Sequence, residues 1–535
     1  MPTLNWIGKE AVVNHHLQVP FHLLKDVPDL ACGQPGDGNL IVQGDNLVAL
    51  KALLPYYAGQ VKCIYIDPPY NTGNEGWVYN DNVNSPLIRE WLGKTVGKEG
   101  ETLDRHDRWL CMMYPRMVLL KQFLHEDGAI FTSIDDNEVA TLRLLMNEVF
   151  GHANFVCQIE WQKIYTVKNS ARHFSEMHDH IVVYASKLDH WKIHLVPRAA
   201  KQDDAFKNPD ADPRGPWKAT PIHARNVYSQ GLYEITTPNG RSVRPPSGTY
   251  WRYSKETFDR MNGENRIWWG KDGQATPAVK RFLSEVKEGV TPTTIWLHDE
   301  AGHNAEAKNE VRDILGDLPA KTLTPKPTRL IQRILQIATD KDSLVLDSFA
   351  GAGTTGHSVL KQNAEDGGNR RFILVEMDTK IARDITAERV RRVAQGYKNA
   401  KDERVEGLSG GFRYCELGEP LFDENGKIRE TVSFADLARH VYFTETGEPL
   451  PRERVSAKSP FIGACRGVGI YLLYNGILGD KSANGGNVLT RAVLAQLPPF
   501  DGQKVIYCAG CLLGRDRLQT ERIIVRQTPY EIKVS

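Results

Sequence analysis

Short apolar runs and helix-sized amphipathic segments alternate along two separated stretches of this chain. In the first stretch, Leu40 to Gln43 is an apolar run that ends in Gly44-Asp45-Asn46, Leu47 to Leu54 has helical character, and Val61 to Ile66 is a second apolar run. Continuous apolar runs bounded by turn residues suit strands covered on both faces. Two of them joined by one helix predict a βαβ crossover with both strands ending at the same sheet edge, so Asp45 and Asp67 are expected to be neighbours. The pattern continues with a helix from Trp109 to Leu124, a strand from Ala129 to Ile134 that ends at Asp135-Asp136, and a helix from Glu138 to Phe150. Val156 to Trp161 and His180 to Tyr184 follow as two strands, expected as an antiparallel edge pair.

The beat then stops. From Ser186 to about Leu318 the chain is rich in Pro and Gly, as in Asn208-Pro209, Arg214-Gly215-Pro216 and Arg244-Pro245-Pro246, and it keeps no helical or strand period. This predicts a loop-rich inserted domain. Alternation resumes with a helix from Thr328 to Thr339, the strand Leu344 to Leu346, a glycine-containing loop, a helix from Thr355 to Gln362, the strand Arg371 to Val375 and a basic helix from Ile381 to Gln395. Gly407 to Phe412 reads as a linker to a mixed C-terminal domain. The expected divisions are an N-terminal arm (1–35), a first core half (36–185), the insert (186–318), a second core half (319–400) and a C-terminal domain (401–535).

Composition narrows the class. The 535 residues exceed one ordinary core, 41% are hydrophobic and 25% charged, and no apolar stretch approaches the roughly 20 residues of a membrane span. Met1 to Leu24 lacks the design of a secretion signal, which points to a cytoplasmic protein. Only Cys508 and Cys511 of the eight cysteines stand at C-x-x-C spacing, so buried structural cysteines are expected and no metal. The net charge of +1 carries no message, but between Lys187 and Arg281 seventeen Lys and Arg face ten Asp and Glu. Trp191, Trp217, Tyr250, Trp251, Tyr253, Trp268 and Trp269 are interleaved there. That mixture suits a phosphate-facing surface, and equally a small aromatic core within the insert.

Two motifs carry the chemistry. Asp67-Pro68-Pro69-Tyr70 follows directly on an apolar strand. Two prolines stiffen the backbone and remove two donors, leaving acceptors just beyond the strand end. An exocyclic amino group of a base is a poor nucleophile because its lone pair is delocalised into the ring. Accepting its N–H bonds, through Asp67 and the Pro68 carbonyl, localises that pair, and Tyr70 offers a face for a base lifted out of a duplex. The other motif runs from Asp347 through Phe349-Ala350-Gly351-Ala352-Gly353 and lacks the third glycine of a dinucleotide fingerprint, so it reads as a tight turn that allows close backbone approach. S-adenosylmethionine fits such a turn, and Glu376 stands at the end of the next strand, where an acidic residue holds ribose hydroxyls in such folds. A glycine-rich turn also arises for structural reasons alone; the company of Glu376 and Asp45 favours a cofactor loop. The order, with the chemistry before the glycine loop, predicts a circularly permuted methyltransferase core.

These stretches, with Gly44-Asp45-Asn46, Tyr65 to Gly73, Ser133 to Glu138, Thr324-Pro325-Lys326-Pro327 and Leu346 to Thr355, resemble the β-class amino-methyltransferases of DNA, most closely the modification subunits of type III restriction-modification systems. The resemblance implies an α/β fold: a circularly permuted Rossmann-like S-adenosylmethionine-dependent core with an inserted target-recognition domain and a mixed α/β C-terminal domain. It implies that Asp67, Pro68, Pro69 and Tyr70 receive adenine for methylation at N6, and that Asp45, Lys326, Pro327, Asp347, Phe349, Gly351, Gly353 and Glu376 surround the cofactor. Arg225, Arg241, Arg244 and Arg252 of the insert become candidate DNA contacts. Implied partners are double-stranded DNA, a second copy of the chain and a helicase-nuclease subunit. Three alternatives remain open: N4 of cytosine as the target, a DNA-specificity module whose core only senses cofactor, and amide methylation in a protein.

Overall fold

The computed structural model describes residues 4–33, 38–72, 101–198 (side chains from 105), 204–286, 289–316, 323–450, 459–474, 477 and 487–528. Gly73 and Leu318, named above as a motif end and a domain boundary, lie outside the described residues. The chain forms two compact units, one of Met1–His194 with Thr293–Ser535 and one of Leu195–Pro292.

The larger unit is organised by one ten-stranded sheet. In chain order its strands are β1 (His22–Asp26), β2 (Leu40–Gln43), β3 (Val61–Ile66), β4 (Leu124–Ile134), β5 (Phe155–Gln162), β6 (His178–Ala185), β7 (Ile295–Trp296), β8 (Leu344–Asp347), β9 (Arg371–Glu376) and β10 (Arg413–Pro420). Across the sheet they run β1-β10-β2-β9-β8-β3-β4-β6-β5-β7. The five neighbours from β2 to β4 are mutually parallel. They are nearly continuous apolar sequence because both faces are covered. Leu40, Val42, Ile64, Ile66, Leu346 and Val375 share one core with Leu50 and Leu53 of α1 (Asn46–Tyr57) and with Met113, Met117 and Leu120 of α2 (Glu101–Phe123).

This order corrects the expected adjacency of Asp45 and Asp67. Their strands end at the same edge, but β9 and β8 lie between β2 and β3. Three strand spacings amount to roughly 14 Å. A crossover fixes the direction and handedness of two strands, not their adjacency, and here the gap is filled by strands that arrive nearly three hundred residues later in the chain.

The other differences concern boundaries. β5 and β6 pair antiparallel as expected, yet β7 adds beyond β5, so that pair is not the edge. Thr293 to Leu315 falls in the larger unit: β7 extends its sheet, and α4 (Asn304–Leu315, after α3, Val139–Met146) is a regular helix with Ala307, Val311 and Ile314 buried. Turn residues around Gly302 hid it. The N-terminal arm supplies β1, antiparallel to β10, and β10 lies parallel to β2, so the sheet takes in residues before 36 and after 400. Beyond it, Phe434–Thr446 and a four-stranded sheet within residues 461–527 enclose a core that includes Phe21, Leu437, Ile470 and Tyr507. The expected helix from Ile381 is a π-helix to Ala387 that continues as an α-helix to Gln395.

The smaller unit combines two strand pairs, a three-stranded sheet and the helix Lys255–Gly263 around Ile222, Ile235, Trp251, Phe258 and Ile267. Part of its basic surplus is structural. Buried Lys280 lies 2.5 Å from Asp210 and 3.0 Å from Asp212, and Arg214 grips Asp212. Its two ends are joined by reciprocal backbone bonds between Val196 and Val290, 3.0 and 2.8 Å.

The sheet edge is braced by one buried cation. Fully buried Arg116 on α2 donates to the Asn46 side chain, to the Met112 carbonyl at 2.7 Å and to Asp45 Oδ2 at 3.2 Å. Asp45 in turn caps α1 by accepting from Leu47 and Val48, and Asn46 donates to the Ser348 carbonyl at 3.0 Å. Replacing Arg116 by Met should lower unfolding free energy by about 3 kcal/mol, because the partners it leaves are uncompensated; urea denaturation followed by circular dichroism measures this.

Candidate active site

Where β3 ends, the chain turns through Asp67, Pro68, Pro69 and Tyr70 and is pinned from outside. The Trp109 indole donates to the Pro69 carbonyl at 2.7 Å, so that acceptor is already occupied. Asn71 adopts a left-handed backbone (φ 60°), which Asn tolerates better than most residues. Its side chain is fully buried and donates to Glu138 and to the Arg105 carbonyl at 3.2 Å. Glu138 also lies 2.5 Å from His106 Nδ1, and burial raises its carboxyl above the ordinary range. Beside the turn, the Tyr65 hydroxyl and Ser133 Oγ are 2.9 Å apart, and the Tyr70 hydroxyl points to Asp179 at a long 3.5 Å. Lys163 donates to Asp179 at 2.6 Å. Burial, with the Asp67 and Asp179 charges adding to it, lifts the Tyr70 phenol well above its usual value.

The glycine loop lies at the end of the neighbouring strand, β8. Buried Asp347 accepts from Thr355 Oγ1 at 2.5 Å and from the Phe349 amide at 3.0 Å. Burial pushes its carboxyl up to about 7, against those two hydrogen bonds, with Asp67 and Glu376 adding negative charge. Glu376 at the end of β9 accepts from the Gly351 and Asp378 amides, 2.8 and 3.0 Å, and burial raises its carboxyl too. At Gly351 (φ 48°) an added Cβ would sit in ordinary contact with Leu323 at 3.8 Å, so the left-handed backbone and not crowding favours glycine there. Gly353 (φ 70°) is required for a different reason, since a Cβ there would lie 3.1 Å from the Thr386 carbonyl. Buried Arg389 holds the loop from below, donating to the Ala352 carbonyl and to Thr354 Oγ1 at 3.2 and 2.9 Å.

Both motifs open into one cleft of about 610 Å³, counting space open to solvent, and Tyr65, Asp67, Lys326, Asp347, Phe349 and Gly351 are among its lining residues. Lys326 reaches in from the segment before α5 (Thr328–Ala338) and lies 2.5 Å from Asp67 Oδ2. There Asp67 pairs with the Lys326 ammonium, while Asp347 and Glu376, whose carboxyls burial raises, are held by directed hydrogen bonds.

A profile described as DNA methylase, N6_N4_Mtase, matches residues 61–388. The chain belongs to the DNA methylase family. Among curated relatives, it is 36% identical over 406 residues to the StyLTI Mod subunit of a type III restriction-modification enzyme from Salmonella typhimurium, covering 71% of this chain and 60% of that protein. It is 32% identical over 503 residues to the EcoPI Mod subunit of Escherichia phage P1, 83% of this chain and 74% of that one. It is also 28% identical to the type II methyltransferase M.KpnI of Klebsiella pneumoniae, 68% of this chain and 89% of that one.

The residues singled out in the sequence fall into groups. Asp67, Lys326, Asp347, Phe349 and Gly351 line the cleft together, with Glu376 bonded to the loop. Asp45 stands on the far side of β9 and is engaged as a helix cap and with Arg116. Pro327 packs against Gly302, where a Cβ would meet it at 2.8 Å. In the smaller unit, Arg225 and Arg241 are exposed, Arg244 lies 3.3 Å from Glu234, and Arg252 donates to the His223 carbonyl. Asn71, Glu138 and Thr355 lie within stretches that carry the resemblance but were given no role of their own, and Asp179 was not singled out. Glu138, third after Asp135 in a strand-end cluster, offered a signal; Asp179, inside a strand, offered none. Asp136, His178 and His180 bring potential ligand atoms within 4.8 Å of one another. His180 is 2.8 Å from Asp136 and 2.6 Å from Glu160, so contacts with these two carboxyl groups account for its place in that cluster.

A carboxyl raised by burial stabilises the fold fully below its unfolded value near 4, and the contribution is lost as pH rises towards 7. Asp347 is raised in this way. The difference in unfolding free energy between the wild type and Asp347→Asn should therefore fall by about 3 to 4 kcal/mol between pH 4 and 8. Denaturant titrations of both proteins across that range test the sign and the window.

Proposed function

We propose that this DNA methylase transfers a methyl group from S-adenosylmethionine to N6 of an adenine lifted out of double-stranded DNA, as the modification and specificity subunit of a restriction-modification system. The observation that carries the reading is the position of Asp67, which lines the same cleft as the glycine loop. Asp347, Phe349, Gly351 and Glu376 surround the space for the cofactor, which supplies an electrophilic methyl on a cationic sulfur. Asp67 and the Pro68 carbonyl accept the two N–H bonds of the amine, and Tyr70 supports the ring. Proximity and alignment of the amine with the methyl give most of the acceleration. Once methylated, the nitrogen is cationic and releases its proton readily, so Asp67 need not be a strong base.

Aspartate at position 67 favours adenine; in the resembling family serine there accompanies N4 of cytosine. Similarity to Mod subunits of both Salmonella and phage P1 supports assembly with a helicase-nuclease subunit and a second copy of the chain. The exposed Arg225, Arg241, Arg244 and Arg252 of the smaller unit are the proposed DNA contacts.

Purified protein incubated with labelled S-adenosylmethionine and unmethylated genomic DNA should yield N6-methyladenine on nucleoside analysis. Asp67→Ala should lower the rate by about 100-fold or more. N4-methylcytosine as the product would keep the fold and overturn the target base. Cofactor binding without any DNA methylation would favour the specificity-module reading.

A further inference from the structure

One ammonium touches both working parts of the amine pocket. Lys326 Nζ lies 2.5 Å from Asp67 Oδ2 and 5.0 Å from the centroid of the Tyr70 ring. The Lys326 side chain is only 8% exposed, against 22% for Asp67. Its backbone is anchored at Lys326 itself and two residues later. Thr354 Oγ1 donates to the Lys326 carbonyl at 3.2 Å, and Glu310 of α4 accepts from the Thr328 amide and hydroxyl at 3.1 and 2.6 Å, anchoring the start of α5. Lysine carries a compact charge with three donors, so one Nζ serves Oδ2 and still faces a ring.

The two Asp67 oxygens are thus unlike. Oδ2 is held by Lys326, Oδ1 is buried, and the Tyr70 hydroxyl is within hydrogen-bonding reach of the same carboxylate. The other charged or titratable groups around this point are Tyr65, Tyr70, Asp347, Asp179 and Lys163. Among them, only Lys326 is recorded in contact with both Asp67 and the Tyr70 ring.

We propose that Lys326 is a positioning residue for methyl transfer: it clamps Asp67 through Oδ2 and braces the Tyr70 ring, so that Oδ1 faces the amino group of the target base. This rests on the methyl-transfer reading, and it gives Lys326 a role at the amine in place of the cofactor contact that the family resemblance implies. A second half of the chain thereby completes a pocket built by the first.

Two measurements test it. In Lys326→Met the dissociation constant for S-adenosylmethionine, by calorimetry, should stay within about threefold while kcat falls by roughly 100-fold, the scale of a misplaced reacting group; Lys326→Arg should recover about tenfold of that loss. An unchanged kcat in Lys326→Met, or a loss that disappears at saturating cofactor, would overturn the proposal. Independently of activity, reductive methylation followed by peptide mass spectrometry should find Lys326 protected in the wild type and several-fold more reactive in Asp67→Ala. Equal reactivity would overturn the clamp, even in a variant or preparation that transfers no methyl. Wild-type protein that methylates no DNA while Lys326 stays protected would instead remove the proposed function and leave the ion pair standing.

Discussion

The pairing of Leu344–Asp347 with Val61–Ile66 is the join on which the rest of this structure depends. Val345 lies opposite Cys63 and Leu346 opposite Ile64, in parallel register. Through it two stretches that are far apart in sequence become one sheet, and each supplies what the other lacks. The first half brings Asp67 and Tyr70, the second the glycine loop and Lys326. Neither half on its own contains a closed cleft, because β8 and β9 occupy the gap between β2 and β3. Contacts of such sequence separation carry a large loop-closure cost and are repaid only when the whole sheet condenses.

The join also concentrates charge. Parallel strands that end at one edge bring Asp67, Asp347 and Glu376 together, and burial makes ionisation of the last two costly. The structure tolerates this with directed donors: the Phe349 amide and Thr355 for Asp347, the Gly351 and Asp378 amides for Glu376, and Lys326 for Asp67. Preorganised charge of this kind, set before substrate arrives, is the usual source of large catalytic effects.

The central elements were legible in the sequence because their signals are local. Val61 to Ile66, Leu344 to Leu346 and Arg371 to Val375 are apolar runs with a turn at the end, and the structure places strands there within a residue or two. The Asp67 turn and the glycine loop were legible for the same reason, since proline and glycine constrain the backbone wherever they occur. What the sequence concealed is relational. Whether Asp45 neighbours Asp67 depends on which strands enter between them, and no local pattern reports that. Asn304–Leu315 was assigned to the insert because Gly302 and nearby loops interrupt the period, yet Glu310 from this helix anchors the segment that carries Lys326. The aromatic residues of the insert were ambiguous between a surface and a core; Trp251 is fully buried in that unit's core.

The bonded pair Val196 and Val290 has a consequence for how such a chain diversifies. The polypeptide enters and leaves the smaller unit side by side, and just outside that point His194 donates to the Ile337 carbonyl and Thr294 accepts from the Glu160 amide, both within the larger unit. The chain is thus tied to α5 before the insertion and to β5 after it, whatever lies between. Any sequence of about this size whose ends close on the same two-bond clasp fits the same socket. Under the proposed function, choice of DNA site and methyl-transfer chemistry become separately heritable traits, and recombination at the clasp exchanges one without retuning the other.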